Sequence, residues 1–211
     1  MFKKVALPVI LVAVAGLAHA DLITNGTFAA PGITTTNNSW SVFNSINGWY
    51  AESFTNIDGH TEYNGIEVGS PSRYGISGTV GNNLELNSNG RSKVSQDIAG
   101  LTAGETIDLN FLMGYRKDPN QPSVNTNKFE VLWNDQLVAT YLPTSSTMTA
   151  ESLNLTAVSG TNKLSFESLS PESTYGGEIE NVQAQAVPEP APFLVLGAGV
   201  GLFALLRRPS G

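Results

Sequence analysis

From Thr106 to Tyr115 the chain places Ile107, Leu109, Phe111 and Met113 at every second position. A period of two puts those four side chains on one face of an extended strand, which a helix cannot do. One half-buried strand is not stable alone, so the chain must supply partner strands and a second layer to cover them.

The rest of the central region supplies them. Leu84-Glu85-Leu86 alternates, and Lys93 to Ile98 sets Val94, Gln96 and Ile98 on one face. Phe129, Val131 and Trp133 repeat the pattern, and Gln136 to Leu142 returns after Asn134-Asp135. Asn and Asp tolerate positive φ, so that pair predicts a hairpin turn. Leu153/Leu155 and Leu164/Phe166 give two more strands, separated by Ser159-Gly160-Thr161-Asn162, and Ile179 to Gln185 closes the domain. Short strands with turn residues between them, and no βαβ spacing, predict an all-β, antiparallel sandwich. No internal repeat interrupts it. Asn37 to Ser45 and Lys117 to Asn127 read as long polar loops.

Both ends differ in kind from this region. Met1-Phe2-Lys3-Lys4, an apolar run from Val5 to Leu17 and Ala18-His19-Ala20 before Asp21 have the layout of a cleaved secretory signal peptide. Cleavage after Ala20 would leave Asp21 as the new first residue. The chain has Cys 0, so in an oxidising compartment its stability must come from packing and not from disulfides. At the other end, Val187 to Pro192 holds prolines 188, 190 and 192, which favours an extended spacer. Phe193 to Leu206 carries no polar side chain, and Arg207-Arg208 follow. A full crossing needs about 20 apolar residues, so this run would span a membrane only tightly, with the arginines on the cytoplasmic side.

Val187-Pro188-Glu189-Pro190, the apolar helix and Arg207-Arg208 resemble the PEP-CTERM sorting signal of Gram-negative bacteria. That resemblance implies an exosortase as processing partner, transient insertion in the inner membrane through residues 191–206, and a mature form at the cell surface or outside the cell. The expected division is signal peptide 1–20, β-sandwich 21–186 and sorting signal 187–211.

Lys3, Lys4, Arg207 and Arg208 take four of the 11 basic residues, leaving seven against all 18 acids over residues 21–190, a net charge of −11. Phosphate backbones need clustered Lys and Arg, so nucleic acid is excluded as a partner. Neutral sugars or cations suit this surface better than polyanions.

Asn25-Gly26-Thr27-Phe28, Ile46-Asn47-Gly48-Trp49 and Asn83 to Ser88 occur in that order, followed by Val94 to Gly104, Phe129-Glu130-Val131 and Ile179-Glu180-Asn181-Val182. Together they resemble the galactose-binding-like jelly rolls related to carbohydrate-binding modules. The resemblance implies a two-sheet sandwich with a glycan-binding face. Related domains often carry an acid directly after the Asn-Gly-x-Phe motif and an Asp before Asn-Val in the last strand, which help hold a structural calcium where both are present. Here Ala29 fills the first place and Glu180 the second, so Glu180 is the one metal candidate left and no other cofactor is implied.

Catalysis finds little support in the residues. His60 is the one histidine of residues 21–190, no serine sits in a nucleophile elbow, and thiol chemistry has no cysteine. No pair of acids has a recognisable glycosidase context, so the domain reads as non-catalytic. A sugar site needs an aromatic platform for the ring and amide, carboxylate or guanidinium groups for the hydroxyls. Tyr50, Tyr63, Tyr74, Tyr115, Arg116 and Tyr175 fall in expected loops or strand ends and are the candidates; Trp49 and Trp133 read as core. Arg116 could equally pair with Glu178 or Asp118, and Asp58, Glu62 and Glu67 near Tyr63 could attract a cation. The expected function is an exported, non-catalytic module binding exopolysaccharide. The alternative is a structural or adhesive biofilm protein that works through protein contacts without glycan.

Overall fold

The computed structural model describes residues 20–188, apart from 56–57, 119, 121–122 and 171–172. Ala18, the signal region before it, Glu189, Pro190, the apolar run 191–206, Arg207 and Arg208 lie outside the described residues. Among the described residues no helix is long and apolar enough to cross a membrane.

The strands in chain order are β1 (Trp40–Phe43), β2 (Ser45–Ile46), β3 (Trp49–Ala51), β4 (Phe54–Thr55), β5 (Thr61–Glu62), β6 (Ile66–Gly69) and β7 (Asn83–Glu85). They continue with β8 (Lys93–Leu101), β9 (Thr106–Tyr115), β10 (Phe129–Trp133), β11 (Gln136–Tyr141), β12 (Thr149–Thr156), β13 (Gly160–Ser168) and β14 (Gly177–Ala186). One turn of helix, α1 (Pro71–Tyr74), follows β6, and a 3-10 turn spans Val124–Asn127. One six-stranded sheet runs β1-β6-β7-β14-β9-β12, the other β11-β10-β13-β8-β3-β2, and β4 pairs with β5 apart from both. All these strand pairings are antiparallel. The two large sheets face each other across a shared core, which makes the domain an antiparallel β-sandwich.

Alternation explains the layers. Ile107, Leu109 and Phe111 of β9 are buried, as are Val94, Gln96 and Ile98 of β8. The rings of Phe111 and Phe166 meet across the two sheets at 5.4 Å, and Trp49 lies 6.2 Å from Phe166 and 5.2 Å from Phe28. Trp49 and Trp133 are core residues, each with its indole N–H satisfied: Trp49 donates to the Asn25 carbonyl at 3.1 Å and Trp133 to that of Thr156 at 2.8 Å. Asn134 and Asp135 have φ of 53° and 61°, the left-handed pair that a two-residue hairpin turn between β10 and β11 requires.

Two expectations need correction. The stretch 37–45 is not all loop, because Trp40–Phe43 pairs with β6 as an edge strand. Residues 160–162 do not separate two strands by a turn but begin β13, with an irregularity in its pairing to β8. Glu85, between Leu84 and Leu86, is 0% exposed as they are, with Arg116 and the Gly176 N–H on its carboxyl.

The first motif closes the sandwich. Asn25 and Phe28 adopt φ of 58° and 50°, and the Asn25 amide donates to the carbonyls of Ala29 and Asn47, both at 3.1 Å. Gly26 lies so close to the last strand that a Cβ there would stand 1.8 Å from the Val182 carbonyl oxygen, while Val182 N–H donates to the Gly26 carbonyl at 2.9 Å. The Asn-Gly-Thr-Phe and Glu-Asn-Val segments therefore fix one another.

Candidate functional site

Two depressions flank the segment Asn87–Arg91 at one end of the sandwich. The larger, about 500 Å³, is lined by Asp58, His60, Thr61, Glu62, Tyr63, Asn64 and Arg91. The small β4–β5 hairpin carries most of this wall. Arg91 is its fixed point: the side chain is 6% exposed, with Nη2 2.7 Å from Asp58 Oδ2, Nη1 3.6 Å from Glu62 Oε1 and Nε donating to the Ser170 carbonyl. Asn64 is oriented too, its amide donating to Glu62 Oε2 at 2.9 Å and to the Arg91 carbonyl at 2.8 Å. Tyr63, 51% exposed, stands at the rim. Guanidinium, carboxylate and amide groups are thus held in place beside an accessible phenol ring.

The smaller cleft, about 210 Å³, is lined by Trp40, Glu67, Arg73, Ser88, Asn89, Arg116 and Thr174. Trp40 is 46% exposed on edge strand β1, and the Arg73 guanidinium lies 5.9 Å from its ring centre. A hydrogen bond links the two depressions: Ser88 Oγ, in the wall of the cleft, donates to the carbonyl of Asn64, in the wall of the larger depression.

Behind the cleft, Arg116 lies between two rings, 5.4 Å from the centre of Tyr74 and 4.8 Å from that of Tyr175. It donates to Glu85 Oε2 and to the Thr174 carbonyl, each at 3.3 Å, and sits 3.7 Å from Asp118. Of the two partners expected for it, Asp118 is present, while the place expected for Glu178 is taken by Glu85. Burial by itself would lower the Arg116 pKa, but Glu85, Glu178 and Glu67 more than offset that and hold it raised.

Tyr74, Arg116 and Tyr175 come together, then, but Tyr74 is 1% exposed and cannot present its ring to a sugar. Its hydroxyl donates to Glu67 Oε1 at 2.9 Å, and its phenol is pushed well up by burial and by Glu178, Glu67 and Glu85. Tyr63 belongs to the neighbouring depression. Tyr50 lies on the other sheet, where it donates to Asp97 at 3.0 Å, and burial and that bond raise its pKa to about 12. Tyr115, half-buried, pairs with Gly177 and lines neither depression. Asp58 and Glu62 already hold a cation, the Arg91 guanidinium, while Glu67 faces the other side, toward Tyr74.

The expected calcium position does not present a calcium ligand set. Glu180 is 0% exposed and turns Oε1 to backbone donors, accepting from Val80 N–H at 2.6 Å and from Gly81 N–H. Burial raises its pKa and those two amides oppose the rise. Its Oε2 and the Asn82 Oδ1 are buried oxygens without a hydrogen-bond partner among the described residues. Calcium takes six to eight oxygens, and among the described residues no three acids or histidines converge on a metal position. One carboxylate turned toward amides does not fit the ion.

Sequence reasoning missed Trp40, Arg73 and Arg91, and with them a buried acid cluster of Glu67, Glu85 and Glu178. The acids did leave a signal. Ile66-Glu67-Val68, Leu84-Glu85-Leu86 and Gly177-Glu178-Ile179 each insert a glutamate beside core residues, on strands that prove to be neighbours.

No protein-family model matches the chain. The multifunctional-autoprocessing repeats-in-toxin protein of Vibrio cholerae is 26% identical over 164 residues, 78% of this chain and 3% of that protein. Its counterpart from Vibrio vulnificus is 29% identical over 102 residues, 48% of this chain and 2% of that protein. The chain therefore spans a few per cent of the length of these relatives. Among solved structures, the Stig cyclase Fisc from Fischerella sp. TAU superposes with a TM-score of 0.58 at 14% identity, over 82% of this chain and 100% of that one. A Fischerella cyclase solved with 4-(1H-indol-3-yl)butan-2-one gives 0.55 at 15%, over 82% and 100%. A family 35 carbohydrate-binding module from Paenibacillus barcinonensis gives 0.37 at 12%, over 74% and 97%. The likeness to the cyclases is one of fold: a two-layer β-sandwich.

Proposed function

We propose that this sandwich is a non-catalytic carbohydrate-binding module of an exported protein, with a glycan lying over Tyr63 and extending across Asn64 and Ser88 toward Trp40. The carrying observation is the accessible Tyr63 ring beside a guanidinium, an amide and two carboxylates that are locked to one another. Sugar rings stack on such a ring and their hydroxyls take up fixed polar groups. Trp40 in the adjoining cleft offers a second platform.

Binding suits the carboxylates of this depression better than hydrolysis. A glycosidase needs one carboxyl on each side of the scissile bond, and Asp58 and Glu62 both converge on Arg91. The tail belongs to the same reading: Val187 to Arg208 would direct the module, through an exosortase, to the surface or the medium. A mature protein whose mass still includes Gly211 would contradict that part.

Affinity electrophoresis of the full chain in gels carrying a panel of bacterial and plant polysaccharides tests the binding reading. Retardation by at least one polysaccharide, relieved by its free oligosaccharide, is expected. Uniform migration through the panel would favour the second reading, adhesion by protein contacts, for which the exposed Leu137 and Val138 on edge strand β11 are the supporting observation.

A further inference from the structure

Glu67 on β6 stands directly opposite Glu85 on β7, and Glu85 directly opposite Glu178 on β14. Opposed residues of antiparallel strands have Cα atoms about 4.5–5.5 Å apart, so three carboxyl groups form one row across three strands. Their exposures are 4%, 0% and 0%. Like charges placed this way repel, and among the described residues the one guanidinium within ion-pair distance of the row is Arg116, on Glu85.

The groups facing the row come from every segment packed on it. Tyr74 hydroxyl reaches Glu67 from α1, with Arg73 of the same turn acting on Glu67 through charge. Arg116, after β9, reaches Glu85, and Asp118 lies beyond it. Gly176 N–H donates to Glu85 Oε1 at 2.8 Å. Among the described residues, none donates a hydrogen bond to either oxygen of Glu178. A bare buried carboxylate is far more costly than a neutral carboxyl, and one arginine neutralises one of three.

We propose that Glu67, Glu85 and Glu178 act as one proton-sharing unit, and that removing its protons releases the Pro71–Ile76 cover and opens the Trp40 cleft. Burial pushes all three carboxyls up, and mutual repulsion adds to it for Glu85 and Glu178. The cover is a single helical turn with little stability of its own. It is held by Tyr74, by the Lys117 N–H bond to the Tyr74 carbonyl at 2.9 Å, and by Ile76 packing with Met148 and Leu112. Charging the row demands water, and water reaches it when this cover lifts. The consequence for ligand rests on the glycan reading of the cleft; the proton unit itself does not.

The test uses the full chain without ligand: carbon NMR titration of the glutamate carboxyls, together with amide hydrogen exchange of residues 70–78 corrected for intrinsic rate. The expected result is that at least two of the three carboxyls, those not neutralised by Arg116, titrate above the ordinary glutamate range. Over that interval the opening of residues 70–78 rises by about tenfold per pH unit for each proton released. Glu178→Gln flattens that rise. Two or more of the carboxyls titrating in the ordinary range, or exchange at 70–78 that ignores pH in the wild type, overturns the proposal, and the wild-type titration decides it if the variant does not fold. A chain that shows the titration but binds no glycan keeps the proton unit and refutes the binding reading alone.

Discussion

The ring of Tyr74 occupies the space where a side chain of Gly69 would stand: a Cβ on Gly69 would lie 2.4 Å from two ring carbons. Gly69 is in a strand and has no unusual φ, so its lack of a side chain serves this contact and not a turn. Gly69→Ala should therefore lift Tyr74 from the sheet and cost about 1–3 kcal/mol by overpacking. Chemical denaturation measures it, and a matching loss of Tyr74–Glu67 contact should appear as faster exchange over residues 71–76.

Gly26→Ala should be worse tolerated than most surface glycine changes, because the new Cβ meets the Val182 carbonyl at 1.8 Å. Separating the first turn from β14 should cost about 2 kcal/mol or more, in the range of changes that force backbone strain. Thermal unfolding of the variant against the wild type gives the number.

These two glycines show how far the sequence could be read. Alternation located β9, β10 and β14 because their inward positions are apolar and their neighbours polar. Asn134-Asp135 marked its turn because few other residues accept positive φ. Trp40 was hidden inside a polar stretch, since a four-residue edge strand carries too little periodicity to register. The burial of Glu85 was not legible because alternation assigns a face but cannot say that another segment covers it. Tyr74 and Arg116 were singled out by residue type, and their burial was not legible for the same reason.

On the other sheet, Tyr50 should titrate at about 12 when followed by phenolate absorbance, since burial and its bond to Asp97 disfavour ionisation. Asp97→Asn removes the neighbouring charge and should bring the midpoint down. An unchanged midpoint would show that the Asp97 contact is not formed.

Acid should weaken the same sheet. Lys163 Nζ lies 2.7 Å from Glu52 and 2.8 Å from Asp135, and both carboxyls are lowered: Glu52, against the opposing effect of burial, by hydrogen bonds from Lys163 and Ser95, and Asp135 chiefly by its hydrogen bond from Lys163. A lowered folded pKa contributes stability that is present above the unfolded value and disappears as pH falls through the folded one. Lys163→Met should lower stability at neutral pH and flatten its decline below the ordinary carboxylate range; on the alkaline side it also removes the contribution of Lys163 itself, which Asp135 and Glu52 hold raised against burial. On that alkaline side the raised Glu85 and Glu178 act with opposite sign: their contribution is complete below the ordinary glutamate pKa and declines as pH rises toward their folded values.

The central claim is that glycan is held over Tyr63, and affinity electrophoresis of Tyr63→Ala beside the wild type, on the polysaccharide that retards the wild type most, addresses it directly. Loss of one stacking ring should weaken binding by about 1–2 kcal/mol, a drop of roughly five- to thirtyfold in affinity, with the unfolding midpoint unchanged, because the ring is exposed. Equal retardation of the two proteins would contradict the account and place any bound glycan elsewhere on the sandwich.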